Sequence, residues 1–285
     1  MNANLILLSR SLCTAVSVAV FSWSVPSLAQ SKTADTIPVV APSDYSADAK
    51  VGSYNQPEWT THRKFTTSRS YVIPQGTLGA EVWLKAHKYK DDTPNDYLLQ
   101  QEIEYGLANR IQLDLYINQI NKEQDGKRKW DTEGVQYEIR WAMANWGEMT
   151  LNPTWYFEYH WVKNAPEKGE VRLLLADNLS KDWHFSSNLG YELELWGEER
   201  ERELVATFAI GTTSFSQTLS VGAEVKGEWV DTKDNRGHMQ TETMIGPSFN
   251  WRPTRSVHVD FAPLFGLQDH APRNEVWLIV GAELN

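Results

Sequence analysis

The chain has 285 residues, of which 41% are hydrophobic and 22% charged, and it carries a formal net charge of −10. This acidity has the wrong sign for a protein that binds nucleic acid through its phosphates, and a mean hydropathy of −0.48 excludes a bundle of hydrophobic transmembrane helices. The single cysteine, Cys13, excludes an internal disulfide framework and a thiolate metal cluster.

The amino terminus has the layout of a secretory signal peptide. Arg10 supplies one positive charge, and the apolar run 12–23 is too short to cross a bilayer as a helix. A proline and small residues follow and end at Ala29, so we predict that residues 1–29 are removed by cleavage after Ala29. Loss of Arg10 would change the net charge from −10 to −11. An uncleaved membrane anchor is the alternative.

The next segment, 30–70, is rich in Ser, Thr, Ala, Asp and Pro and shows no sustained apolar period. This composition predicts a flexible periplasmic arm or linker. The sequence leaves open a second interpretation, in which the segment is a plug folded into another part of the protein.

From Thr77 onward the apolar side chains recur with a period of two. In the run 110–118, isoleucines and leucines occupy alternate positions, and polar residues occupy the positions between them. Alternation of this kind predicts strands with one apolar and one polar face. Marking every such run predicts about twelve strands, at 78–88, 96–105, 110–120, 133–144, 148–162, 170–176, 183–196, 203–211, 215–230, 239–251, 255–267 and 275–284.

The predicted connections alternate between two types. Longer charged loops follow the first strand of each pair, at 89–95, 121–131, 163–169, 197–202, 231–238 and 268–274. Tight turns follow the second strand, at 106–109, 145–147, 177–181, 211–214 and 252–254. Short turns on one side and long loops on the other are typical of outer-membrane barrels. Residues 71–285 therefore predict an all-β fold, an antiparallel up-and-down transmembrane β-barrel of about twelve strands.

The apolar face decides between this barrel and a soluble sandwich. It carries no charged residue in the middle of any predicted strand, and large aromatic rings lie on it near strand ends, namely Tyr97, Tyr105, Trp141, Trp161, Trp183, Trp229 and Trp251. A soluble core has no reason to place such rings at its rims, whereas a membrane barrel uses them as interfacial girdles. A secreted soluble β-sandwich that binds carbohydrate through its aromatic residues is the weaker alternative.

In a barrel, the polar face would line the lumen. The candidate lumen-lining residues are Glu81, Lys85, Glu102, Glu104, Arg110, Asp114, Glu138, Arg140, Glu158, His160, Arg172, His184, Glu192, Glu194, Glu224, Lys226, Glu228 and Asp260. The same face also carries Glu170, Glu242 and Glu283. Because acidic side chains outnumber basic ones, the lumen is expected to favour cations. A barrel of this size can equally be open or sealed by paired side chains, and the sequence leaves both possibilities open.

The residues of this face suggest two chemical hypotheses. His87, His160, His184 and His258 share it with many carboxylates and could hold a transition metal, but no paired ligand spacing is present, so no metal or other cofactor is predicted. His184 and Ser186 are weakly similar to the catalytic pair of outer-membrane phospholipase A, yet both face the lumen and the surrounding motif is missing. We therefore predict no catalytic residues and no enzymatic activity.

Three stretches resemble a known family. QGTLGAEVW at 75–83, EIEYGLANRIQL at 102–113 and GPSFNWRP at 246–253 look like strand and turn sequences of the phenol-degradation (MetA-pathway) transporter-like family. The resemblance implies a Gram-negative outer-membrane barrel that passes small solutes as a passive channel, with the lipid bilayer and the barrel-assembly machinery as partners. Such barrels usually end in an aromatic residue, whereas this sequence ends in Glu283-Leu284-Asn285, which we expect to lower the efficiency of assembly.

Overall fold

A computed structural model describes residues 45–91, 93–124 and 127–284. The predicted signal peptide and residues 30–44 of the predicted arm lie outside the described residues. Among the described residues, no helix combines the length and the apolar character that a helical membrane span requires.

Twelve long strands form one closed antiparallel barrel. They are β3 (Leu78–Lys88), β4 (Asp96–Leu107), β5 (Ile111–Gln124), β6 (Lys127–Ala142), β7 (Thr154–Val162), β8 (Lys168–Asn178), β9 (Trp183–Glu194), β10 (Arg202–Ser216), β11 (Leu219–Asp231), β12 (Gln240–Trp251), β13 (Val257–Gly266) and β14 (Asn274–Glu283). Each strand pairs with its neighbours in sequence, and β14 pairs with β3 to close the sheet. The predicted all-β barrel is confirmed, and the sandwich alternative is wrong because one continuous sheet closes on itself.

Short elements precede the barrel and interrupt one of its loops. Strands β1 (Lys50–Val51) and β2 (Gln56–Pro57) form a two-stranded sheet, and a 3-10 helix follows at Glu58–Thr60. A second 3-10 helix, Lys233–Asn235, lies between β11 and β12. The described elements thus contain almost no helix.

The two ends of the barrel differ as predicted, except that the connection predicted as a tight turn at 145–147 is long and spans 143–153. One end, the turn end, carries connections 108–110, 179–182, 217–218 and 252–256, together with the longer connection 143–153. The other, the loop end, carries connections that include 89–95, 163–167, 195–201, 232–239 and 267–273. In outer-membrane barrels the short turns face the periplasm.

Three predicted boundaries are wrong. The predicted strand at 148–162 begins only at Thr154, because Leu151 and Asn152 have φ values of 64° and 48°, which no extended strand adopts. The predicted turn 211–214 belongs to β10, whose pairing with β11 continues until Ser216 faces Leu219. The predicted loop 121–131 is mostly strand, because β5 and β6 remain paired up to Gln124 and Lys127.

The outer surface of the barrel is apolar. Large aliphatic side chains in the middle of strands are about half exposed, as at Ile103 (55%) and Leu189 (53%). Five of the predicted rim aromatics are also exposed on this surface, namely Tyr105, Trp141, Trp161, Trp183 and Trp251. An apolar band of this kind suits a lipid environment, because a protein surrounded by water does not expose a continuous apolar surface.

Residues 45–77, which we call the plug, lie inside the barrel at its turn end. The Tyr54 hydroxyl donates to the Leu107 carbonyl at 2.7 Å, and the indole of Trp59 donates to Asn178 Oδ1 at 2.7 Å. Plug aromatic residues form a buried cluster with small side chains on the inner wall. The described part of the segment interpreted as a flexible arm, 45–70, therefore adopts the plug arrangement that the sequence left open.

Candidate functional site

The strand positions place the candidate lumen residues on the inner face, with one exception. Arg110, assigned to the start of a strand by the alternation, lies in the turn before β5 with a φ of 62°. Its side chain donates to the Ala142 carbonyl at 3.1 Å and to Asn145 Oδ1 at 3.3 Å. Arg110 therefore belongs to the turn end of the barrel, because β5 begins one residue later.

Seven inward carboxylates occupy consecutive strands in direct cross-strand register. This carboxylate ladder consists of Glu104, Asp114, Glu138, Glu158, Glu170, Glu192 and Glu203, on β4 to β10. The ladder runs obliquely from the turn end toward the loop end of the barrel, because Glu104 lies near the turn end of β4 and Glu203 lies at the loop end of β10. Like charges directly opposite each other destabilise a sheet. An unbroken row therefore requires compensation by neighbouring cations.

Basic side chains beside the ladder supply part of this compensation. Arg140 contacts Asp114 Oδ2 at 2.9 Å and also contacts Glu138. Toward the loop end, Lys168 lies 2.8 Å from Glu192 Oε1. Charged pairs of this kind offset the cost of placing the carboxylates out of bulk water.

Arg172 neutralises the charge of another ladder carboxylate, and its side chain needs space on the inner wall. Its Nε lies 2.5 Å from Glu170 Oε1. The opposite residue is Gly190, where an added Cβ would lie 2.9 Å from Arg172 Cγ. A glycine at this register position leaves space for the ion pair.

The four histidines of the lumen face do not converge on one site. His160 alone lies with two carboxylates, those of Glu158 and Glu170, in a group that could hold a metal ion among the described residues. His87 instead pairs with Asp96 and Glu275, at 2.7 Å each. The remaining two histidines lie apart from these groups.

The lumen is open to solvent above the plug. A cavity of about 420 Å³, which we call the vestibule, has walls formed by strand residues such as Glu158, Glu192 and Lys226. Its floor is the top of the plug, including Arg63 and Arg69. A cavity of this volume lies within the range of small-molecule sites. The lumen thus combines a packed turn-end half with a polar vestibule.

The plug brings cations to the acidic inner wall. Arg63 Nε lies 2.9 Å from Glu81 Oε2, and Arg69 lies 2.8 Å from Glu102 Oε1. The backbone amides of Thr66 and Thr67 donate to the carboxylate of Glu224 at 2.9 and 2.7 Å. Part of the negative charge expected to favour cations is therefore neutralised within the protein.

Two charged plug residues have pKa values that reflect this environment. Burial lowers the pKa of Lys64 to about 7, although Asp260 opposes the shift. Burial also opposes the charge of Arg69, but the Glu102 carboxylate raises the pKa of this guanidinium well above its usual value. Arg69 is therefore a permanent cation of the plug, whereas Lys64 titrates near neutrality.

The sequence reasoning missed several lumen groups. The plug residues Arg63, Lys64 and Arg69 were assigned to a linker, although a basic stretch in an otherwise acidic chain is a signal that could have identified them. Glu275 is buried on β14 and contacts Lys226 at 3.2 Å. Glu203, the top of the ladder, was also missed.

The hypothetical hydrolase pair is not assembled. Ser186 donates its hydroxyl to the Arg69 carbonyl at 2.6 Å instead of to a histidine. Both ring nitrogens of His184 lack a hydrogen-bond partner in the described part of the chain, and the ring packs 4.9 Å from that of Trp59. A nucleophile requires a base within hydrogen-bond reach, so this geometry does not support hydrolysis.

No family model and no curated protein matches the sequence. Solved structures do match. An outer-membrane channel from Pseudomonas putida F1 aligns over 78% of this chain and 100% of its own, with 10% identity and a TM-score of 0.59. The NanC porin aligns over 73% of this chain and 99% of its own, with 12% identity and a TM-score of 0.52.

The chain has the fold of an outer-membrane β-barrel. At 10% and 12% identity, the likeness shows the fold alone and carries no information about the solute. The similarity to the phenol-degradation transporter-like family remains a resemblance based on strand and turn sequences.

Proposed function

We propose that this protein is an outer-membrane channel for small solutes, with a lumen that favours cations. It would be exported through a signal peptide cleaved after Ala29 and placed in the lipid bilayer by the barrel-assembly machinery. The closed barrel and its apolar outer surface support a membrane location. The resemblance described above agrees with a passive channel.

The carboxylate ladder carries the proposal. Its upper members, Glu158, Glu170 and Glu192, lie on the wall of the vestibule. Glu203 continues the row toward the loop end, and no salt bridge joins it in the described part of the chain. A passage with low-dielectric walls and charge of one sign concentrates ions of the opposite sign. A cation entering from the loop end would therefore meet Glu203 first and then a row of carboxylates that Lys168 and Arg172 neutralise only in part.

The test is ion preference in a planar bilayer. With purified, refolded protein and a salt gradient, the reversal potential is expected to show cation preference. The triple substitution Glu158→Gln, Glu170→Gln and Glu192→Gln should shift this potential toward zero, because it removes three ladder charges. The matched control changes three exposed carboxylates away from the vestibule, Glu123, Glu148 and Glu198, to Gln and should leave the preference intact.

The plug favours a second candidate, a sealed barrel that acts through its loops. Its aromatic cluster packs against the inner wall at the turn end, where Trp59 is fully buried. No current from protein whose folding is verified by heat-modifiable gel mobility would support the sealed barrel and contradict the channel. An unchanged reversal potential in the triple variant would contradict the role of the ladder.

A further inference from the structure

Four barrel side chains form a compact group on the inner wall beneath the vestibule. They are the carboxylates of Glu81 and Glu102, the indole of Trp83 and the phenol of Tyr116, which we call the cation cage. The Trp83 indole donates to Glu81 Oε2 at 2.8 Å, and Trp83 and Tyr116 meet edge to face with ring centroids 6.0 Å apart. Two carboxylates and an aromatic face are the groups that proteins use to bind organic cations.

The plug fills this cage with two guanidinium groups. Arg63 lies over the Trp83 ring at 3.8 Å and contacts Glu81 at 2.9 Å and Glu102 at 3.4 Å. Arg69 contacts Glu102 at 2.8 Å and Tyr116 Oη at 2.7 Å, and its guanidinium lies 5.1 Å from the same indole. The cage therefore holds planar cations by both charge and stacking, which a guanidinium matches better than an ammonium does.

The cage can be reached from the vestibule. Arg63 and Arg69 both line that cavity, and the side chain of Arg69 is 10% exposed whereas that of Arg63 is 1% exposed. Tyr116 also donates a hydrogen bond to Glu138, a member of the carboxylate ladder. A cation that descends the ladder would thus arrive at the cage and meet the Arg69 guanidinium first.

We propose that the cation cage is a binding site for solutes that carry a guanidinium group, and that Arg63 and Arg69 occupy it in place of such a solute. Buried carboxylates left without a cation are costly, so the cage exchanges one guanidinium for another and does not stay empty. The inference rests on the proposed function for the route by which the solute arrives. The plug is then a competitor for the solute as well as a barrier.

The test creates a vacancy in the cage of the full-length protein. Arg63→Ala removes one guanidinium, and binding of ethylguanidinium to the detergent-refolded variant is measured by isothermal titration calorimetry. The variant is expected to bind with a dissociation constant about tenfold lower than that of the unchanged protein, because a free cation regains the carboxylate and indole contacts. Ethylurea, which is similar in shape but neutral, should not bind.

Two further variants make the result specific. Lys64→Ala is the matched control, since it removes a neighbouring plug lysine whose ring contact is Trp59 and not the cage. This variant should bind ethylguanidinium no better than the unchanged protein. Adding Glu102→Gln to Arg63→Ala should abolish the gain. If Arg63→Ala fails the heat-modifiability test of folding, Arg69→Ala provides the same vacancy from the exposed side.

Equal weak binding by the unchanged protein and both arginine variants would overturn the inference, as would a gain that survives Glu102→Gln. Failure of the inference is distinguishable from failure of the proposed function, because the binding measurement needs no current. If the arginine variant binds ethylguanidinium but the protein carries no current, the binding site is supported and the channel is contradicted. If the protein carries cation-selective current but the variant does not bind ethylguanidinium, the channel is supported and the binding site is contradicted.

Discussion

The two halves of the lumen differ in the side chains that their inward-facing strand positions carry. At the turn end, the inner wall presents small residues such as Ala142, Ala176 and Ala209, which pack against the aromatic side chains of the plug. At the loop end, the corresponding positions carry long charged side chains that border a cavity of about 420 Å³. The comparison shows that an inward-facing strand position does not by itself line an open lumen. The position belongs to a packed core where the plug fills the space, and to a cavity where it does not.

The boundary between the halves lies at the top of the plug. There Ser68 and Thr207 share a hydrogen bond of 2.7 Å between hydroxyl oxygens, and Arg69 N donates to Asn188 Oδ1 at 2.7 Å. In the proposed channel, a solute that moves from the loop end to the turn end has to cross this layer. If the protein conducts solutes as proposed, movement of the plug is the simplest way to open this layer.

Fixing the plug should produce the largest effect. In the double variant Ser68→Cys, Thr207→Cys, the two side chains are close enough for a disulfide that ties the plug to β10. If the plug moves during conduction, the oxidised variant should carry no current, and a reductant should restore the current. Bilayer recordings of the two single variants are the control, and they should be insensitive to oxidant. Current through the oxidised double variant would instead place the passage beside a stationary plug.

Loss of packing in the turn-end half should have the next largest effect. Trp59 is fully buried and lies 5.7 Å from the Trp146 ring, so Trp59→Ala should reduce the free energy of plug docking by about 3–5 kcal/mol. Glu192→Ala in the loop-end half removes one half-buried ion pair and should cost at most about 1 kcal/mol. Hydrogen exchange of plug amides should therefore show a large loss of protection in Trp59→Ala and little change in Glu192→Ala, whose partner Lys168 lies on the barrel wall. Equal protection in the two variants would show that the plug is not held by this core.

Much of the fold follows from the sequence because it is local. The alternation around Leu113 and Leu115 predicts β5, and side chains on alternate positions do point to opposite faces. The same rule fails at Leu151, where an apolar residue continues the alternation by chance but lies in a turn with positive φ. Period two identifies a strand only where the backbone also remains paired.

The candidate site was less predictable because its contacts are distant in sequence. The hydrogen bond between Thr66 and Glu224 joins residues 158 positions apart, and the sequence does not indicate which wall residue Thr66 contacts. The alternation of polar and apolar residues predicts that most of the ladder acids face inward. Their alignment into one row depends on the register of every strand pair. Sequence reasoning thus predicts which side chains face inward and not which of them meet.

The last prediction tests a close contact within the barrel wall. Gly281 faces both Glu81 and His258 across its strand pairs, and an added Cβ would lie 2.0 Å from His258 Nε2. Gly281→Ala should push the imidazole away from Glu81, now at 3.3 Å, while its 2.6 Å contact with Asp260 limits the movement. We expect a loss of about 1–2 kcal/mol in unfolding free energy, measured by denaturant titration. Gly169→Ala, whose Cβ would meet only the flexible Leu195 side chain at 3.2 Å, should be nearly neutral, and equal losses in both variants would show that the imidazole position does not matter.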